Sequence, residues 1–495
     1  MRAKELIKRA GLNPEIISDD FEVKGISCNS KHILDNFVFV AVKGTHADGH
    51  NFIEEAIEKG AKAVVAHRGH PSQVCLPGRG KSVPKSVSVI LVEDTRKALA
   101  SLAGEFYGNP SKKVKVIGIT GTNGKTTVSY LVEALLKEAG FTPAVLGTIN
   151  YRFKDREIPS WNTTPGVVEL QAMLAEMSET GVDYAVMEVS SHALDQSRTE
   201  GINFHSAIFT NLTQDHLDYH GTIDNYFAVK ALLFRHLSPQ AFAVINTDDE
   251  YGLRLKGLTP AKVITYGIKK DAFVTAKNIK FDMTHTEFTL ELDKKLFDFK
   301  TPLIGRHNVY NALAALAWGV AAGLDFKVLE SAIKKFGFVP GRLERINVNG
   351  SFNVFVDYAH TEDALYNVIV TLRELSQGRL IVVFGCGGER DRTKRPKMGK
   401  VVSELADYSI ITSDNPRSEP PESIVEDIKT GINKDNCCVV LDRREAIKRA
   451  LSLAKPGDTV LLAGKGHENY QVLKDKILHF DDREVVRECL KSMNY

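Results

Sequence analysis

Between Lys113 and Gly140 the chain reads as a buried strand (KVKVIGIT), a glycine loop (Gly121-Thr122-Asn123-Gly124-Lys125-Thr126-Thr127) and a helix (TVSYLVEALLKEAG), with nothing intervening. A strand that feeds a covering helix returns to its sheet as a parallel neighbour. This one segment predicts an α/β fold with a largely parallel sheet. It also predicts a phosphate site. Glycines let the backbone bend around an anion and aim N–H groups at it, and the helix N-terminus adds a favourable dipole. Lys125 is placed to reach terminal phosphates, and Thr126 to bind Mg²⁺ through its hydroxyl. The spacing departs from G-x-x-x-x-G-K-[ST], because Ile119 stands where the first glycine would be.

The strand and helix signals continue on both sides. FVFVAVKG, AKAVVAH and VSVILVED read as strands before the loop, with an amphipathic stretch at NFIEEAIEKGA. YAVMEVSS, SAIFTNLT, AFAVINTDD and KVITYG follow it; Asp271–Lys300 alternates as antiparallel strands do, and LIGRHNVYNALAALAWGVAAG reads as a long helix. After Phe338-Val339-Pro340-Gly341 the pattern restarts with FNVFVDYAH, RLIVVFGCGG, YSIITSDNPR, CCVVLD and TVLLAGKG. A chain of 495 residues holds roughly three domains at about 100–200 residues each, and the expected limits are 1–110, 111–338 and 339–495. Polar residues gather at the C-terminal ends of the strands, where open α/β sheets bind ligands. The Pro-, Gly- and Ser-rich run from His70 to Ser86 reads as a surface loop.

Composition narrows the function classes. A formal net charge of +2 lacks the basic excess of a general nucleic-acid binder. No stretch approaches the ~20 apolar residues of a membrane span, and the charged N-terminus (MRAKELIKRAG) is not that of a signal peptide. Six scattered cysteines form no metal-ligand spacing and fit a reducing compartment, hence the cytoplasm.

The loop GTNGKTT resembles the ATP loop of the Mur ligases, the amino-acid-adding enzymes of bacterial cell-wall synthesis. Further blocks resemble the family in order along the chain: FVFVAVKGTHADGHNFI, NTTP, EVSSHALDQSR, FTNLTQDHLDYHGT, HNVYNALAA, PGRLE, DYAHTEDAL, FGCGGERDRTKRP, SDNPR and AGKGHENYQ. The resemblance implies a three-domain architecture with a P-loop-type central sheet and a C-terminal Rossmann-like domain. It implies ADP-forming amide synthesis through an acyl phosphate, with ATP as co-substrate and Mg²⁺ as cofactor. The other substrates would be the small molecules UDP-N-acetylmuramoyl-L-alanyl-D-glutamate and meso-diaminopimelate, with no nucleic acid, no membrane insertion and a monomeric chain.

Residue by residue, the resemblance assigns Lys125, Lys230, Glu188 and His216 to catalysis. Glu188 and His216 join Thr126 as Mg²⁺ ligands, since hard cations favour oxygen donors, and Lys230 is the lysine that is carbamylated. Carbamylation requires a neutral amine, so a depressed lysine pKa is expected there. His307, Asn308, Asn311, Arg342 and Asp357 join Gly121–Thr127 around ATP, although helix capping would also explain the asparagines. Ser30, Thr45, His46, Ala47, Asn162, Thr163, Thr164, Ser190, Gln196 and Arg198 are assigned to the nucleotide-sugar peptide. The sequence departs from the family at Asn29-Ser30-Lys31, where Asp-Ser-Arg is usual; a lysine there loses bidentate phosphate recognition.

Asp414-Asn415-Pro416-Arg417 resembles the motif of family members that add meso-diaminopimelate. That amino acid carries one more carboxylate than lysine, and a guanidinium binds a carboxylate bidentately. Arg417 and Arg390 are the expected partners, with Gly464 and Glu468 at the distal amino-acid centre. The plainer reading of the motif is a proline turn capped by Asp414. The competing functions are a lysine-adding ligase of this family, a folylpolyglutamate synthetase, which has a similar loop, and a regulatory protein that binds ATP without catalysis.

Overall fold

The computed structural model describes residues 1–14, 19–44, 47–70, 84, 86–348 and 352–493. Thr45, His46, Cys75 and nearly all of the run between His70 and Ser86 lie outside the described residues. The chain divides into two compact units: Met1–Gly118 with Phe141–His205, and Ile119–Gly140 with Ser206–Tyr495.

The first unit opens with a four-stranded parallel sheet, Gly25–Ser27, Phe37–Val40, Ala61–His67 and Ser88–Val92, in sequence order. FVFVAV shows why it is covered on both faces. Val38 and Val40 pack on one side with Leu6, Ile7, Leu99 and Leu102. Phe39 and Ala41 pack on the other with Ile33, Ile53 and Ala56. Successive side chains of a strand point to opposite faces, so an unbroken apolar run needs two covering layers. The helices Ala3–Arg9 and Thr95–Phe106 supply one layer and Ile53–Glu58 the other; the first two are not evident from the sequence pattern. The unit also holds strands Tyr184–Glu188, Pro143–Leu146, Asn150–Phe153 and Arg156–Pro159, hydrogen-bonded in that order.

In the second unit the strands Phe204–Phe209, Phe242–Asn246, Lys262–Gly267 and Val274–Phe281 run parallel in that order. Thr286–Leu292 and Lys295–Thr301 extend the sheet antiparallel, with Phe288 and Phe299 directly opposed and stacked. Helix Arg306–Ala321 is apolar almost all round because it is enclosed, against helix Lys125–Glu138 on one side and the strands on the other. A second sheet has the order Glu344–Ile346, Asn353–Asp357, Thr459–Ala463, Leu380–Phe384, Tyr408–Ile411, Cys437–Val439, parallel except at the first strand. Three helices (Glu362–Leu375, Lys394–Leu405, Pro421–Lys429) cover one face, and Arg443–Leu453 with Asp482–Ser492 covers the other. The last parallel strand in sequence, Thr459–Ala463, lies between the first two. Connections leave in opposite directions from this point, which opens a crevice beyond the strands' carboxyl ends. Asp357, Gly464, Gly385 and Thr412 begin the loops there.

Candidate functional site

The glycine loop is built as the sequence requires. Gly121 and Gly124 have φ of 149° and 87°. A Cβ on Gly124 would overlap the Asn311 side chain, and one on Gly121 the side chain of Thr210. The loop is held by Asn211, whose carbonyl accepts the Thr122 N–H and whose Oδ1 accepts the Asn123 N–H, each at 2.9 Å. Lys125 Nζ donates to the carbonyls of Gly121 and Thr122, both at 2.9 Å. Thr126 and Thr127 are buried at the start of the helix.

A cavity of about 330 Å³ opens beside this loop. Asn123, Gly124 and Thr127 line it together with His307, Asn308, Asn311, Arg342 and Asp357. All belong to the second unit. Arg342 Nη2 donates to Thr126 Oγ1 at 3.1 Å, and its guanidinium lies 4.7 Å from the centre of the Tyr358 ring. Asp357 accepts the N–H groups of Leu343 and Ala359, and burial pushes its carboxyl up from the usual range. Burial pushes the His307 imidazole down to about 4, so it stays neutral. Capping does not explain the asparagines, because the N-cap of their helix is Gly305. Asn308 Nδ2 donates to the Ile304 carbonyl, and Asn311 Nδ2 to Asn308 Oδ1.

Sequence reasoning missed other parts of the wall: Asp248, Tyr310, His360 and Asp363. Asp248 gathers the N–H groups of Ile268, Lys269 and Lys270 and the Tyr310 hydroxyl. Asp363 accepts from Asn123 Nδ2 at 2.8 Å. The blocks INTDD and DYAHTEDAL carried the signal, as polar clusters immediately after strands.

Lys230 is 1% exposed. Its Nζ donates to the Gly121 carbonyl at 2.9 Å and lies 4.6 Å from the centre of the Tyr226 ring. Burial, reinforced by the Lys125 cation, holds its pKa well below the ordinary lysine value, the direction that a carbamylation-competent amine needs. His216 adopts a left-handed backbone (φ 54°) and sits beside buried Asp215. Burial raises the Asp215 carboxyl, but His216 and Lys394 outweigh it and bring it down to about 2.

Beyond the second sheet, Asn415 rather than Asp414 secures the DNPR turn. Asn415 Oδ1 accepts the Val472 N–H at 2.9 Å, and Nδ2 donates to Glu468 Oε2 at 2.8 Å. Lys465, fully buried, lies 3.2 Å from the same Glu468 oxygen. Arg417 Nη1 donates to the Gly388 carbonyl at 2.7 Å. Burial, with Arg390 alongside, lowers the Arg417 pKa. Among the described residues no carboxylate lies within ion-pair distance of either arginine. Gly464 (φ 111°) passes so close to Asp414 that a Cβ would meet its carboxylate.

In the first unit the EVSSH and NTTP segments interlock. Thr164 Oγ1 donates to the Glu188 carbonyl at 2.8 Å and accepts the Ser190 N–H at 3.1 Å. Arg198 Nη1 donates to the Thr164 carbonyl and Nη2 to Gln196 Oε1. Thr163 meets Thr148, which itself donates to both carboxylate oxygens of buried Glu188 at 2.9 Å. Asn162 and Ala47 are exposed. The Ser30 hydroxyl is donated to Glu55 Oε2 at 2.8 Å, so only its lone pairs remain for a ligand. Asp48, His50 and His70 also cluster in this unit. That cluster does not suit a metal: His50 Nε2 accepts the His67 N–H at 3.0 Å, which leaves the proton on Nδ1, donated to Asp48 at 2.6 Å.

Three family models match in order: the Mur ligase family catalytic domain at residues 22–107, the Mur ligase middle domain at 119–319 and the Mur ligase glutamate ligase domain at 341–466. The UDP-N-acetylmuramoyl-L-alanyl-D-glutamate–2,6-diaminopimelate ligase of Clostridium tetani is 44% identical, with all of both chains covered. The enzyme of the same name from Aquifex aeolicus is 47% identical over 94% of each chain. A solved structure of a ligase of that name superposes with a TM-score of 0.67 at 33% identity, over 96% of each chain.

Proposed function

The chain belongs to the Mur ligase family, and we propose that it joins meso-diaminopimelate to UDP-N-acetylmuramoyl-L-alanyl-D-glutamate, converting ATP to ADP and phosphate. The observation that carries the choice of amino acid is the pair Arg390 and Arg417, two neighbouring cations that form no close ion pair with a carboxylate among the described residues. Lysine would bring no second carboxylate to either, and a guanidinium pairs a carboxylate bidentately. We assign Glu468, which also pairs with Lys465 and Asn415, to the ammonium at the same end.

The chemistry follows from the groups assembled. A carboxylate is a poor electrophile. The side-chain carboxylate of the D-glutamate attacks the γ-phosphorus of ATP, and ADP departs with the bridging oxygen. The amine of the incoming amino acid then attacks the acyl carbon, loses a proton and expels phosphate. The loop N–H groups and Lys125 hold the phosphates, and Arg342 adds charge from the second sheet. Catalysis rests on positioning and on neutralising the transferring phosphoryl group.

Thr126, Glu188 and His216 would be the Mg²⁺ ligands that the family resemblance assigns, the first two as the oxygen donors a hard cation favours. When bound, the ion neutralises phosphate charge. Lys230 takes up CO₂ at its neutral Nζ and becomes an anionic carbamate after loss of a proton. Ser30, Thr45, His46, Ala47, Asn162, Thr163, Thr164, Ser190, Gln196 and Arg198 receive the nucleotide-sugar peptide. We place the domain limits at 1–110, 111–338 and 339–495, the protein in the cytoplasm and the active form as a monomer. No helix among the described residues is long and apolar enough to cross a membrane.

ADP release from the purified protein, supplied with ATP, Mg²⁺ and the dipeptide precursor, tests this reading. Turnover with meso-diaminopimelate and little with L-lysine is expected. Turnover with lysine alone would overturn the amino-acid assignment, and turnover with neither would overturn the ligase reading.

A further inference from the structure

Two loops carry the arginines assigned to the carboxylate. One follows strand Leu380–Phe384 and reaches Arg390; the other follows Tyr408–Ile411 and reaches Arg417. Both are bent in the same unusual way. Glu389, immediately before Arg390, has φ of 52°, and Arg417 itself has φ of 54°. Non-glycine residues persist in this region only where surrounding contacts hold them.

The holding contacts converge on Arg395, whose side chain is wholly buried on helix Lys394–Leu405. Its Nη1 donates to Glu419 Oε2 at 3.0 Å and to Asp427 Oδ2 at 2.8 Å. Its Nη2 donates to Glu419 Oε1 at 3.0 Å and to the Gly387 carbonyl at 3.2 Å. Glu419 Oε1 also accepts the N–H of Glu389. One guanidinium and one carboxylate therefore grip the first loop at Gly387 and Glu389 and the second at Glu419, two residues past Arg417. The loops touch directly as well. Gly388 N–H donates to the Asn415 carbonyl at 2.9 Å, and a Cβ on Gly388 would overlap the Pro416 carbonyl.

We infer that Arg395 and Glu419 form a positioning pair that sets the spacing of the Arg390 and Arg417 guanidiniums and so the preference for an amino acid with a second carboxylate. This rests on the reading that the chain adds meso-diaminopimelate. Arg395 is buried, and its terminal nitrogens are engaged by the protein, so the pair acts through the loops and not on substrate. Stability alone does not account for it, since buried ion pairs are often replaceable by apolar residues without loss.

The test is Glu419→Gln in the full-length chain, which keeps the shape and removes the charge. KM for meso-diaminopimelate should rise roughly tenfold, because displaced carboxylate contacts weaken binding of that substrate. Turnover number and KM for ATP should stay within about twofold, and the preference over L-lysine should shrink by the same factor as KM rises. A variant that merely loosened the fold would lower turnover with both amino acids alike. Arg395→Lys, which keeps the charge but cannot span both loops, should shift KM the same way, and Glu419→Asp should restore part of the preference. If Glu419→Gln leaves KM for meso-diaminopimelate unchanged while Arg417→Lys raises it, the positioning role is wrong and the Arg417 assignment stands. If the unaltered protein does not distinguish the two amino acids, the underlying reading falls and this inference with it.

Discussion

Replacing Lys230 by Met should stabilise the second unit while removing turnover, and the pH dependence of that gain follows from the lysine's burial. Lys230 is 1% exposed, and its pKa lies well below the ordinary 10.5 because of desolvation and the nearby Lys125 cation. Unfolding returns the amine to water, where it binds a proton. Between the folded pKa and about 10.5 the unfolded state binds one more proton than the folded state. Wild-type stability therefore rises with pH there, by up to about 1.4 kcal/mol per pH unit from this group. Below the folded pKa both states are protonated and the penalty is constant. Met fills a similar volume without charge. The Gly121 carbonyl keeps its bond from Lys125 Nζ at 2.9 Å, and besides it only a long 3.5 Å contact to Thr120 Oγ1 is lost. The variant should be the more stable of the two in bicarbonate-free buffer, and its advantage should shrink by about 1.4 kcal/mol for each pH unit gained within that window. Urea unfolding followed by tryptophan emission reads this out. Trp318 is buried in the same unit with its Nε1 donating to Ser206, whereas Trp161 is 57% exposed and its emission changes little. Turnover should fall by about a hundredfold or more if the carbamate stabilises the phosphoryl transfer. Stability curves that run parallel across pH would show that Lys230 is charged in the fold, and the argument would fail.

Three further outcomes are expected. Gly124→Ala forces φ of 87° on an alanine and sets a Cβ against Asn311; it should cost about 1–2 kcal/mol of stability and weaken ADP binding in calorimetry, and an unchanged affinity would show that the loop tolerates displacement. Arg443 and Asp482 are both fully buried and paired at 2.7 and 2.8 Å; Asp482→Ala should cost about 3–5 kcal/mol, measured by denaturant midpoint, and a neutral result would mean that the stranded guanidinium finds water. Arg417→Lys loses a fork that lysine cannot reproduce, so KM for meso-diaminopimelate should rise roughly tenfold or more with ATP binding unaltered.

The strand, glycine loop and helix at Lys113–Gly140 were legible because each signal is local: an apolar run, glycines with positive φ and a helical period. The enclosed helix Arg306–Ala321 was legible for the same reason. Strands Pro143–Leu146, Asn150–Phe153 and Arg156–Pro159 were not, since each is four residues long and shows too little alternation to separate it from a loop. At the candidate site, single residues were easier to read than their partners. Arg417 stands out in DNPR, but the bonds that secure its turn come from Asn415 and from Val472, a segment 57 residues away. Arg395 lies in the basic run RDRTKRPK, a pattern that by itself gives no sign of burial, and is fully buried. Burial of a charge depends on carboxylates supplied by other elements, here Glu419 and Asp427, and no local pattern announces them. Asp248 and Asp363 line the cavity beside the glycine loop for comparable reasons: their contacts span 20 to 240 residues of sequence.

The most direct test of the central claim is a competition. The purified protein would receive ATP, Mg²⁺ and UDP-N-acetylmuramoyl-L-alanyl-D-glutamate with equal concentrations of meso-diaminopimelate and L-lysine, and the nucleotide product would be weighed by mass spectrometry. A product enlarged almost wholly by diaminopimelate, formed together with ADP, is the expected result. A lysine adduct, or ADP without any adduct, would contradict the account.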